Sequence, residues 1–262
     1  NYEELNSRWP LLIKHLTACL DDMALFRNDI QMVGTGEHNI SKSNKVELAR
    51  LLNKTNNHLR RFLLAVRAFL SLMRSTGMRC IEAWTLRRSD FEELACGEVL
   101  LTRSSAKCGS RRNVSKRIFC KIVPHSNREL CTILHLAEYL RHVPDENAYL
   151  FLHSFVQYNP HTTSYRAVAF IKYVSVFEML CIKVGITLGS RKVHLIRTLT
   201  TNILGEQGVA SSEIQKFIGW STSIMDIHYC NDKAIAINSG VCPYVLAGRK
   251  NDSIPPNNIW RT

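Results

Sequence analysis

One stretch of this chain breaks a pattern that otherwise runs through most of it, and that break constrains the fold more than any other feature. Elsewhere apolar residues recur at three-to-four spacing. Leu5, Trp9, Leu12, Leu16, Leu20 and Met23 predict one amphipathic helix over residues 4–24. Similar patterns predict helices at Val46 to Leu52, Leu59 to Met73, Arg128 to Arg141, Tyr165 to Val184, Leu195 to Gln207, Ser211 to Ile218 and Lys233 to Ala247. Between Thr85 and Pro124 the character changes. Val99 to Thr102 and Ile118 to Val123 are short β-prone runs, and the connection between them holds Cys108, Gly109, Ser110 and Asn113, which predicts a hairpin with a long loop. The expected fold class is mainly α with a small antiparallel β-sheet, an α+β arrangement.

The hairpin is also where charge concentrates. From Val99 to Arg128 lie Arg103, Lys107, Arg111, Arg112, Lys116, Arg117, Lys121 and Arg128, with no acidic residue among them. The whole chain carries a formal charge of +12 over 262 residues. Such a surface suits a polyanion, and a nucleic-acid backbone fits best because each phosphate neutralised releases condensed counterions. Arg103, Arg111, Arg112, Lys116, Arg117 and Lys121 are the candidate DNA-binding residues.

Other function classes are disfavoured. Apolar runs such as Phe62 to Val66 are only a few residues long, far from the roughly 20 that span a bilayer, so no membrane partner is expected. The nine cysteines are odd in number and contain no Cys-x-x-Cys pair. That argues against a disulfide framework or a zinc site, and they read as buried apolar residues in a reducing, intracellular compartment. The ten histidines lack short metal-binding spacings, so no metal is expected. A polar stretch from Gly34 to Lys45 reads as a linker. It divides the chain into a helix and linker at 1–36, a main domain at 37–250 and an extended or disordered tail at 251–262. The chain opens on Asn1 without a basic-then-apolar leader, as expected of a fragment or processed product.

Three blocks carry chemistry. Thr76-Gly77-Met78-Arg79 is followed one helical turn later by Glu82. His194 and Arg197 stand at i, i+3, on one helical face. Gly219-Trp220 is followed, nine residues after the tryptophan, by Tyr229. In this order the blocks resemble the tyrosine recombinases, or phage integrases, whose patterns are Thr-Gly-x-Arg-x-x-Glu, His-x-x-Arg, a Gly-His or Gly-Trp pair, and a tyrosine shortly after. The resemblance runs from about Val46 to Ala247. Histidine is commoner in the family where this chain has Trp220.

The resemblance implies a site-specific recombinase that cleaves and rejoins double-stranded DNA through a 3′-phosphotyrosine, as in recombination and integration of viral or mobile elements. It implies a tetramer on paired sites, and the nucleus as location in a eukaryotic host. Its implied catalytic set is Arg79, Lys107, His194, Arg197, Trp220 and Tyr229, with Glu82 bracing the helix or a basic neighbour. The roles are chemically coherent. Phosphoryl transfer needs an in-line nucleophile, cations on the non-bridging oxygens and a proton for the leaving oxygen. Arg79 and Arg197 offer forked donors for the oxygens. His194 can exchange a proton or orient the phosphate, while Trp220 can only donate its indole N–H. Tyr229 would be the nucleophile, with Tyr244 the nearest competitor. Lys107 would be the acid, 28 residues after Arg79, with Lys116 as the alternative. No metal or nucleotide cofactor is required by this scheme. A type IB topoisomerase, or an inactive DNA-binding relative, remains the alternative reading.

Overall fold

Thr55 starts the helix around which the rest is assembled. Its hydroxyl accepts the His58 backbone N–H, and the helix then runs from Asn56 to Thr76. It stops at Gly77, which adopts the left-handed conformation at φ 58°. The computed structural model describes residues 2–35, 40–94, 97–105, 116–142, 150–151, 164–188 and 193–218. Within them this helix is α4. It follows α1 (Tyr2–Asp21), α2 (Met23–Thr35) and α3 (Lys42–Leu52), and precedes the short α5 (Cys80–Thr85). Every residue from Phe62 to Met73 is buried. A helix apolar all round must be enclosed, and α4 is enclosed by α1, α6 (Thr132–Leu140), α7 (Ser164–Lys183) and α8 (His194–Glu206). The last described helix, α9 (Ser211–Ile218), lies against α8 and the sheet.

Aromatic rings fill the space between α4, α6 and α7. Tyr173 stands edge-on to Phe62 and Phe69, with ring centres 5.3 and 5.1 Å apart. Phe151 stands edge-on to Phe69 and stacks on Tyr139. The polar ends of these rings are satisfied: the Tyr139 hydroxyl donates to the Leu150 carbonyl at 2.5 Å and the Tyr173 hydroxyl to the Phe151 carbonyl at 3.3 Å, as buried phenols require.

The sheet has three antiparallel strands in the order β1 (Phe91–Glu93), β2 (Val99–Ser105), β3 (Lys116–Ile122). Val99 pairs with Ile122, Leu101 with Cys120 and Arg103 with Ile118. All six are buried, which shows the two-residue alternation of a sheet with one face on the core. On the other face Phe119 is exposed.

The architecture is therefore mainly helical with a small antiparallel sheet, the class expected. Two elements differ from expectation. The single helix over residues 4–24 is two helices, because the Asp22 carboxylate accepts the Ala24 backbone N–H at 2.8 Å and starts α2. Strand β1 was not anticipated, being only three residues long with two exposed glutamates. Helices α1 and α2 bury Leu5, Trp9, Phe26 and Ile30 in the same apolar core as α4 and α7. Among the described residues no helix is long and apolar enough to cross a membrane. The helix expected at Lys233 to Ala247 and the tail at 251–262 lie outside the described residues.

Candidate active site

The end of α4 brings two of the three sequence blocks together. Gly77 must be small here: a Cβ on it would come within 2.9 Å of Ile218 Cδ1 and 3.1 Å of Thr200 Cγ2. This close approach lets α4 end directly against α8 and α9. The chain then turns, and Arg79 becomes the residue that precedes α5, in extended conformation at φ −76°, ψ 152°. Glu82, three residues on, reaches back to accept the Arg79 backbone N–H at 2.8 Å. This is one half of a capping box.

Glu82 is fully buried, and arginines from three elements surround it. Its Oε1 accepts from Arg79 Nη1 at 2.9 Å, its Oε2 from Arg103 Nη1 at 2.5 Å, and Arg197 Nη1 lies 4.0 Å from Oε2. Arg103 comes from β2 and Arg197 from the first turn of α8, so the group joins residues more than a hundred positions apart. Arg197 also donates from Nη1 to the Gly77 carbonyl at 2.8 Å and from Nη2 to the Ile218 carbonyl at 3.0 Å. Arg103 donates from Nη2 to the Phe217 carbonyl at 2.6 Å and more weakly to the Thr76 carbonyl at 3.5 Å. These carbonyls close the C-terminal ends of α4 and α9, where the helix dipole favours cations.

Among the described residues three guanidiniums share one carboxylate in a buried region, an arrangement that favours an arriving anion. The Arg79 side chain is 26% exposed, whereas that of Arg197 is 1% exposed. Of the two, Arg79 is the one that presents itself to solvent. His194 is half-buried and opens α8 one turn before Arg197. Burial pushes the neighbouring Cys80 thiol up to about 12, so that sulfur is a neutral packing group rather than a nucleophile.

No family model and no curated protein matches the chain. Among solved structures, it is similar to the XerH site-specific recombinase bound to difH substrate, a pre-cleavage complex, at TM-score 0.44 and 15% identity over 79% of this chain and 48% of that one. A post-cleavage complex of XerH on palindromic difH substrate is similar at TM-score 0.43 and 15% identity over 75% of this chain. The chain thus spans about half the length of those chains, 48% and 44%.

The expectation for Arg103 is overturned. Read from sequence as a ligand of the DNA backbone, it is 2% exposed and spent on Glu82 and backbone carbonyls. The signal was present: position 103 has the parity of Val99 and Leu101, the inward face of β2. Lys121 is half-buried and pairs with Glu98 at 2.6 Å. Lys116 and Arg117 are placed on β3, with side chains outside the described set. Lys107, Arg111, Arg112, Trp220 and Tyr229 lie outside the described residues.

On α1 and α2, His15, Cys19 and Asp29 bring three metal-ligand types within 4.8 Å of one another, the one such set among the described residues. There the Asp29 carboxylate is taken by His15 Nε2 at 2.5 Å and by the Lys183 ammonium at 2.9 Å. Burial pushes the Cys19 thiol up to about 12. Lys183 thus stands where a cation would, and the set closes as an ion-paired network.

Proposed function

We propose that this chain is the catalytic domain, at 37–250, of a tyrosine-type site-specific DNA recombinase that cleaves and rejoins strands through a 3′-phosphotyrosyl intermediate on Tyr229. The observation that carries this reading is the convergence of Arg79, Glu82 and Arg197, from separate sequence blocks, at a buried point rich in guanidinium groups. A scissile phosphate is the anion such a group would serve. Forked N–H donors match two of its oxygens, and in a dry site they are worth more than in water.

On this reading Arg79 meets the phosphate from the exposed side and Arg197 supports it from beneath. His194 handles the proton of the tyrosine or orients the phosphate. Trp220 contributes one indole N–H to a non-bridging oxygen. Tyr229 attacks phosphorus, the bond to the 5′ oxygen breaks, and Lys107 or Lys116 delivers the proton that oxygen needs. The 3′-phosphotyrosine conserves the bond energy, so rejoining needs no nucleotide. The arginine pair supplies the positive charge that bound metals provide elsewhere. Residues 1–36, whose helices α1 and α2 share the core of α4 and α7, would be the end of a DNA-clamping region, and the working form would be a tetramer on paired double-stranded sites, in the nucleus of a eukaryotic host.

The test is adduct formation on nicked double-stranded DNA selected from sequences the protein binds. Wild type is expected to form a covalent protein–DNA adduct in excess EDTA, and Tyr229→Phe to form none while binding DNA with similar affinity. An adduct that persists in Tyr229→Phe and disappears in Tyr244→Phe would reassign the nucleophile. Dependence on added metal, or absence of adduct with bound DNA, would reject the reading. Relaxation of supercoils without paired sites would favour the topoisomerase alternative.

A further inference from the structure

We infer that Arg103 is a positioning residue for strand cleavage, one that fastens the end of α9 to the end of α4 and so orients the segment that follows α9. The inference rests on the strand-cleavage reading above, since that segment carries Trp220 and Tyr229, two and eleven residues beyond Ile218.

The geometry is a pair of parallel clasps. Arg103 Nη2 donates to the Phe217 carbonyl at 2.6 Å and reaches, more weakly, the Thr76 carbonyl at 3.5 Å. Arg197 bridges the next carbonyls along each chain, those of Gly77 and Ile218. One such bridge would leave the two helix ends free to pivot about it. Two bridges on consecutive residues fix their rotation as well as their separation. Glu82 lies between the clasps, taking Arg103 Nη1 at 2.5 Å and lying 4.0 Å from Arg197 Nη1. The same carboxylate holds the half-buried Arg79, so that guanidinium and the end of α9 share one anchor. The remaining Arg103 nitrogen, Nε, donates toward Cys120 Sγ at 3.4 Å on the neighbouring strand.

Stability alone does not call for this arginine. The inward face of β2 otherwise holds Val99 and Leu101, and apolar residues in place of both Arg103 and Glu82 would often be neutral or stabilising, whereas loss of Arg103 alone leaves Glu82 to Arg79 and Arg197. What a valine or leucine could not do is hold two carbonyls from two helix ends. A nucleophile on the segment after α9 must stand in line with a phosphate held by Arg79, and misplacement by 1 Å costs about a hundredfold in rate.

The experiment compares wild type with Arg103→Met and Arg103→Lys on nicked DNA, measuring adduct rate at saturating DNA, affinity and its salt dependence, and hydrogen exchange in peptides spanning residues 66–74 and 215–222. Methionine keeps the length without the donors, and lysine keeps the charge without the fork. Both variants are expected to slow adduct formation by about a hundredfold and to speed exchange at 215–222 but not at 66–74. Affinity and salt slope should match wild type, whereas loss of a phosphate contact would reduce the slope by about 0.9. If Arg103→Met fails to fold, Arg103→Lys decides. A folded variant with an adduct rate within threefold of wild type overturns the inference, as does a rate loss explained by weaker binding. Should wild type form no adduct, the function reading fails by itself and exchange decides the clasp: unchanged exchange at 215–222 in a folded variant overturns it.

Discussion

Helix α4 carries two buried polar groups little more than a turn apart, and they are built on opposite principles. At Ser71 and Ser75 it meets α6 through neutral groups. Ser71 Oγ and His135 Nδ1 lie 2.7 Å apart, and Thr132 Oγ1 donates to the Ser71 carbonyl at 3.2 Å and to Ser75 Oγ at 3.1 Å. Burial, assisted by the nearby Arg67 charge, pushes His135 down to about 3, so the imidazole stays neutral. At Thr76 and Gly77 the same helix meets β2, α8 and α9 through three arginines and one glutamate. The neutral group closes on itself and specifies packing. Among the described residues the charged group has more cations than anions, and the half-buried Arg79 lies at its edge, which suits a ligand. Two buried networks of similar size thus differ in whether they are built from neutral or from charged groups.

That difference predicts unequal costs of disruption. The largest effect is expected for Glu82→Ala, which leaves three buried or half-buried guanidiniums without their carboxylate and should destabilise the fold by about 3–5 kcal/mol in urea unfolding. A loss below about 1 kcal/mol would mean that the backbone carbonyls alone hold the arginines.

The neutral group is the one that acid should break. His135 has a folded-state pKa of about 3 against a usual 6.5, so below pH 6.5 the unfolded chain binds a proton that the folded chain does not. Stability is complete above pH 6.5 and falls as pH drops toward 3, by up to about 1.4 kcal/mol per pH unit. Denaturant midpoints from pH 7 to 4 should show this slope in wild type and a shallower one in His135→Asn. Equal slopes would assign the acid sensitivity to carboxylates elsewhere.

The smallest effect should come from added anions. Inorganic sulfate at ten times its dissociation constant should stabilise wild type by about 1.4 kcal/mol, and the gain should vanish in Arg79→Ala while surviving in His135→Asn. Survival in Arg79→Ala would place the anion elsewhere on this basic protein and weaken the contrast between the two groups.

Much of the architecture was legible in the sequence because periodicity is a local property. Apolar spacing marked α3, α4 and α6 to α9, since a helix that buries one face must repeat every three to four residues. The run from Leu59 onward was legible as helix, but not that α4 would be enclosed on every side. The Asp22 break in α1–α2 and the short β1 were missed because a single carboxylate and a three-residue strand leave little periodic trace. At the site, Arg79, Glu82, His194 and Arg197 stood out because their blocks together resemble a family pattern, not by the spacing of any one block.

The sequence by itself determined which residues share a helix face or a strand face, and on that ground alone Arg103 could have been placed inward with Val99 and Leu101. Only the tertiary structure decided what those faces meet. That Glu82 would gather Arg103 and Arg197 beside its local partner Arg79, that Gly77 would lie against Ile218 and Thr200, and that two arginines would bridge consecutive carbonyls of α4 and α9 depend on elements far apart in the chain. The physical reason is range. Side-chain period is set by the backbone geometry of one element, whereas a buried charge acquires its partners, and so its function, from whichever elements the apolar core brings beside it.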